Sequence, residues 1–72
     1  MLPKMRSVIS GAVSSIGHDP DTNELHVTWK SGKRSVYSNV SAEKADQVMN
    51  AYSVGSAVHA MIKTQGHEHR YL

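Results

Sequence analysis

The chain has no cysteine, no phenylalanine and only two prolines among its 72 residues. Without cysteine there is no disulfide framework, no thiolate nucleophile and no thiolate-ligated zinc. This composition fits a reducing compartment. Apolar residues are only 39% of the chain, too few to line a large dry active-site cavity in a protein that buries about 60–65% of its unfolded surface. One-sided charge is also scarce: eight Lys/Arg against six Asp/Glu leave a net +2. That is a mild lean toward polyanions, short of a nucleic-acid signature. Long apolar runs are missing. Val8-Ile9 is the longest apolar pair before Ser10 and Gly11 interrupt, and nothing approaches the roughly 18 residues of a spanning helix. The expectation is a single small domain, cytoplasmic or virion-associated, with no targeting signal and no membrane partner. Its stability is marginal or shared with another chain.

The polar residues that remain are arranged in readable patterns. Pro3 keeps residues 1–6 out of helix, and they read as a loose leader. Arg6 to His18 reads as one interrupted strand marked by Val8, Val13 and Ile16. The spacing is not a clean period of two, and Gly11 is a candidate bulge. His18-Asp19-Pro20-Asp21-Thr22-Asn23 is turn chemistry. Leu25-His26-Val27-Thr28-Trp29-Lys30 is the clearest strand, with Leu25, Val27 and Trp29 on one face. Ser31-Gly32 signals a hairpin into a third strand, Lys33 to Asn39. A two-residue loop would put Arg34 and Val36 beside Trp29 and Val27. A three-residue loop with Gly32 left-handed would put Ser35 and Tyr37 there instead. The second register is favoured, because it leaves Arg34 in water and brings Tyr37 against Leu25.

Ser41 is a good N-cap, with Glu43 in the first turn and Val40 placed to staple onto Ala45. Ala45, Val48, Met49 and Tyr52 then form one helical stripe. Ser53 to Gly55 breaks it. Val54, Ala57, Val58, Met61 and Ile62 form a second, with Gly66 as its stop. His67 to Leu72 reads as a polar tail. The predicted fold is α+β: a three-stranded antiparallel β-meander followed by two helices, in the order β-β-β-α-α. Its parts are a leader over 1–6, one domain over 7–66 and a tail over 67–72.

The ordered series Val13-Ser14-Ser15-Ile16-Gly17-His18-Asp19, Leu25-x-Val27-x-Trp29, Gly32, Tyr37-x-x-Val40 and Ala51-x-Ser53-x-Gly55 followed by Ile62 resembles the KTSC domain. That family is named for the C-terminal end of some lysyl-tRNA synthetases and also occurs as free-standing proteins of bacteria and their phages. The resemblance covers residues 8–63. Three features depart from the family pattern. Ser35 replaces the first tyrosine of a Tyr-x-Tyr pair, Gly17-His18-Asp19 replaces Gly-Tyr-Asp, and Ala57-Val58 replaces an aromatic pair. The synthetase linkage implies RNA binding by association.

Three groups of residues are candidate sites. His59, His67 and His69 form a histidine set that zinc could use, but alternating tail histidines lack a fixed geometry, so no metal and no cofactor are expected. His18 beside Asp19 could suggest a general base, against a plain turn residue. No nucleophile elbow, phosphate loop or useful carboxylate pair occurs, so no enzyme activity is expected. Lys30, Lys33 and Arg34 at the hairpin tip, with Tyr37 as a stacking ring, are the candidate nucleic-acid contacts. The competing reading is a solvated turn with Trp29 and Tyr37 in the core. Lys4, Arg6, Lys63 and Arg70 join the patch only if the termini fold back. Met49, Met61 and Tyr52 are core, or an adaptable protein-binding face. The sequence therefore predicts a non-enzymatic binding module for RNA or other nucleic acid. The alternative is a protein-interaction module, such as a phage- or bacterium-encoded inhibitor or adaptor acting on a host complex. A homodimer closed by the helical face or by the third-strand edge is a further candidate.

Overall fold

A computed structural model describes residues 5–8, 11–61 and 69–71. The chain runs through β1 (Arg6–Ser7), β2 (Val13–Asp19), β3 (Glu24–Trp29), β4 (Arg34–Tyr37), α1 (Ala42–Met49), α2 (Val54–Met61) and β5 (His69–Tyr71). The five strands form one antiparallel sheet in the order β1-β2-β3-β4-β5. The central meander and two helices match the sequence reading, and two further strands flank them. Arg6 to His18 is not one interrupted strand: Arg6–Ser7 turns back and pairs with Ile16 and Ser15. Residues 69–71, read as part of a polar tail, return to pair with Ser35–Tyr37. Elements of two and three residues are too short to carry a period-two signal, so an already formed neighbouring strand defines them. The third-strand edge considered for a homodimer is occupied there by the chain's own β5. Pro3, Lys4, Ile62, Lys63, Gly66, His67, Glu68 and Leu72 lie outside the described residues.

The imperfect alternation of β2 has a structural cause. Val13 pairs with Trp29 and Ser15 with Thr28, so two steps on β2 match one on β3, a bulge at Ser14. Gly11, the predicted bulge position, precedes the strand. One extra residue lets Val13 and Ile16, three apart, face the same side. Both are fully buried there with Leu25, Val27 and Tyr37. The β3–β4 hairpin adopts the favoured register: Leu25 pairs with Tyr37 and Val27 with Ser35. Its loop is Lys30-Ser31-Gly32, closed by Gly32 N–H to the Trp29 carbonyl (2.9 Å) and Trp29 N–H to the Lys33 carbonyl (2.8 Å). Gly32 has φ +95°, a region that costs a side-chain-bearing residue strain.

The helices cover this apolar face. The Ser41 hydroxyl accepts from Lys44 N–H at 3.2 Å, the predicted cap. Ala45 and Val48 of α1, and Val54, Ala57 and Val58 of α2, complete the core with Val40. Each fully buried valine contributes about 1.5–3 kcal/mol of transfer free energy. The first stripe ends sooner than predicted. α1 stops at Met49, where Asn50 caps it: its backbone N–H and side-chain amide both donate to the Asp46 carbonyl (3.0 and 2.9 Å). Tyr52, one turn on, therefore lies beyond the helix and is fully exposed. Among the described residues no helix is long and apolar enough to cross a membrane.

Candidate functional site

The helices leave the hairpin end of the apolar sheet face uncovered. Trp29, Ser35 and Tyr71 share that face because Ser35 pairs with Tyr71 on one side and with Val27, two residues before Trp29, on the other. They line a cleft of about 460 Å³ whose rim includes Lys30, Ser31 and Lys33. Ser35 is small and buried. Tyr71 lies opposite Ser35 and Val27, so Trp29 stands diagonally from it, two strands away and two residues along, a backbone separation of about 12 Å. The indole Nε1–H donates to the Ser35 hydroxyl at 2.8 Å, which holds the Trp29 ring at the base of the cleft. Trp29 is half-buried and Tyr71 is 64% exposed. Lys33 Nζ lies 5.8 Å from the centroid of the Tyr71 ring, within cation–π range.

Of the four sequence-predicted contacts, Lys30 and Lys33 are exposed at this cleft. Arg34 is exposed as well, but strand alternation puts it on the opposite face from Ser35, away from the cleft. Tyr37 is only 1% exposed and belongs to the core. Burial raises the pKa of its phenol, against a smaller opposing effect of the nearby Ser35 hydroxyl. The aromatic surface predicted for Tyr37 is offered instead by Tyr71, which sequence reasoning left in the tail. The available signal was the open edge of the third strand, which required a partner.

The opposite face is less solvated than an alternating strand suggests. His26 and Val36 are buried there. Arg70 pairs with Val36 on the ladder, and its Nη1 reaches Glu24 Oε2 on β3 at 2.7 Å. The second Glu24 oxygen accepts from the Thr22 hydroxyl at 3.0 Å. The Arg70 and Thr22 hydrogen bonds hold the Glu24 carboxyl below its ordinary range. His26 Nε2 lies 3.9 Å from Glu24 Oε1, and burial lowers the pKa of its ring.

His18 is not a turn residue and does not pair with Asp19. It lies in β2 and its Nε2–H donates to the Val40 carbonyl at 2.6 Å. A carbonyl only accepts, so the ring carries its proton on Nε2 in this contact. Asp19, the next residue, points to the other face and accepts from Asp21 N–H in the turn. With Val40 N–H donating to the Asn23 carbonyl, these bonds pin the entry to α1. His59 is exposed on α2. His67 and Glu68 are outside the described residues, and among the described residues no group of three ligating side chains is placed to hold a metal ion.

The comparisons with known proteins agree with this architecture. The KTSC domain model matches residues 9–65. No curated protein matches the chain. Among solved structures, the crystal structure of the KTSC domain protein YPO2434 from Yersinia pestis is similar at a TM-score of 0.90 and 25% identity, over 99% of each chain. With a matched family over most of its length and a fold that superposes end to end on a member, the chain belongs to the KTSC domain family.

Proposed function

We propose that this chain is a non-enzymatic binding module, acting in the cytoplasm, that takes a short single-stranded stretch of RNA or other nucleic acid into the cleft between Trp29 and Tyr71. The observation that carries this reading is the set of two accessible rings with two lysines around one small serine. Bases stack on aromatic faces whatever their identity, at about 1–3 kcal/mol per base. Lys30 and Lys33 supply the phosphate contacts. Two such contacts give a log–log salt slope of about −1.4 for a single strand. Binding is therefore weak, and more dependent on stacking than on charge.

The test is fluorescence anisotropy with a labelled single-stranded RNA at low ionic strength. Saturable binding is expected, reduced by Lys33→Glu and by Trp29→Leu but little changed by Arg34→Glu. Trp29, the chain's single tryptophan, gives a second readout, because a stacked base quenches its emission. Absence of RNA binding at low salt overturns the reading, as does an Arg34→Glu loss equal to that of Lys33→Glu.

One observation favours a second reading. Tyr52 stands fully exposed between the two helices, remote in sequence from the cleft. A large exposed aromatic suits a protein partner. Co-purification of a stoichiometric protein that survives nuclease and is lost in Tyr52→Ser supports this alternative over the first.

A further inference from the structure

We infer that Arg70 is the positioning residue of the cleft: its pairing with Glu24 on the far side of the sheet holds β5 in register and keeps Tyr71 across from Trp29. β5 has three residues and is the last strand of the sheet, paired with β4 among the described residues. So short an edge strand has little stability of its own. Adjacent strand residues point to opposite faces, so Arg70 and Tyr71 are mechanically linked through one peptide. Arg70 sits opposite Val36 on β4, yet its guanidinium meets Glu24 on β3. The side chain therefore crosses β4 over Val36, which is fully buried yet lies apart from the main hydrophobic cluster. Such a stem packs its methylenes on the valine while its head stays paired.

Glu24 is itself placed. Thr22 holds one carboxylate oxygen and Arg70 takes the other. A one-residue slip of β5 would aim Arg70 into the cleft and Tyr71 at Glu24, losing the ion pair and the Lys33–Tyr71 contact together. The arginine thus selects the register that builds the ring wall. It does not touch the proposed ligand. Its effect on RNA rests on the reading above, whereas its effect on β5 does not.

The experiment uses the full chain with Arg70→Gln, Arg70→Lys, Glu24→Gln and the exchange Glu24→Arg with Arg70→Glu. The first readout needs no ligand. NMR follows the Lys33 Cε protons, shifted by the Tyr71 ring, and the hydrogen exchange of the β5 amides. Arg70→Gln and Glu24→Gln are expected to move the Lys33 shift toward its free value and speed β5 exchange about threefold, the scale of a partly exposed ion pair. The melting midpoint stays close to that of the parent. Arg70→Lys retains part of the effect, and the charge exchange restores much of it. The second readout is RNA affinity, expected to fall about threefold in the same rank order. Unchanged Lys33 shifts and β5 exchange in Arg70→Gln overturn the inference. The same applies if global unfolding explains both changes equally. If the NMR changes occur but no variant or parent binds RNA, the positioning role stands and the RNA reading fails.

Discussion

The three tyrosines separate core from surface in one experiment. Tyr37 is 1% exposed, Tyr71 64%, and Tyr52 fully exposed. Truncating a fully buried aromatic costs about 3–5 kcal/mol. A 72-residue chain has about 4–11 kcal/mol of total stability, so Tyr37→Ala is expected to remove between about a quarter and all of it. At about 4–8 °C per kcal/mol for a domain of this size, the midpoint falls by at least about 12 °C, or the chain is unfolded at room temperature. Tyr52→Ala loses no packed surface and stays within about 0.5 kcal/mol of the parent. Tyr71→Ala falls between them, under about 1 kcal/mol, because only a third of its surface is covered. Urea unfolding followed by far-ultraviolet circular dichroism gives all three values on one scale. A titration adds an independent check. Burial holds the Tyr37 phenol protonated above the ordinary value of 10.0. The folded state then binds the proton more tightly than the unfolded chain, so this contribution is complete below pH 10 and is lost as pH rises through the folded value. If Tyr52→Ala costs as much as Tyr37→Ala, the helical stripe runs on as the sequence pattern implies, and the truncation of α1 at Asn50 is wrong.

Three further outcomes follow from local geometry. Burial lowers the pKa of His26, opposed by Glu24 and Asp19 and assisted by Arg70 and Arg34. The unfolded chain binds that proton first, so stability is complete above the ordinary histidine value of 6.5 and declines as pH falls through the lowered folded value. His26→Gln removes that part of the acid limb in a pH series of urea midpoints, and an unchanged limb would sink the assignment. Gly32→Ala meets no atom within 4 Å, so its cost is the left-handed backbone alone, about 1–2 kcal/mol by thermal melting, and Gly32→Asn costs less. Ser41→Ala removes a single 3.2 Å capping bond and costs about 0.5–1 kcal/mol, with Ser41→Gly milder; a neutral result would mean the cap is not formed in solution.

Where a residue's role depends on its immediate neighbours, the sequence was informative. Strict alternation identified β3. Gly32 indicated the loop that sets the hairpin register, since only glycine reaches its backbone angle without strain. Ser41 and Val40 marked the start of α1, and the family motifs followed in order along the same stretch. The irregular spacing of Val13 and Ile16 also recorded a real bulge, one residue past the start of β2 rather than at Gly11. Lys30 and Lys33, read from the sequence as flanking the Ser31-Gly32 turn, are exposed at the rim of the cleft.

Other features depend on segments far apart in the chain. Tyr52 fitted a helical stripe, yet Asn50 ended the helix first. Arg34 and Lys33 are neighbours in sequence but face opposite sides once the strand forms. His26 alternates away from the Leu25 face, yet it is buried, because Val36 and the Glu24–Arg70 pair lie on its side of the sheet. Local chemistry by itself determined the central meander, the hairpin register and the first cap, because those choices are made within a few residues. Tertiary structure decided the edge strands, the exposed rings and the charge pair behind them. A three-residue segment has too little intrinsic preference to choose a conformation until a finished edge supplies its hydrogen-bond partners.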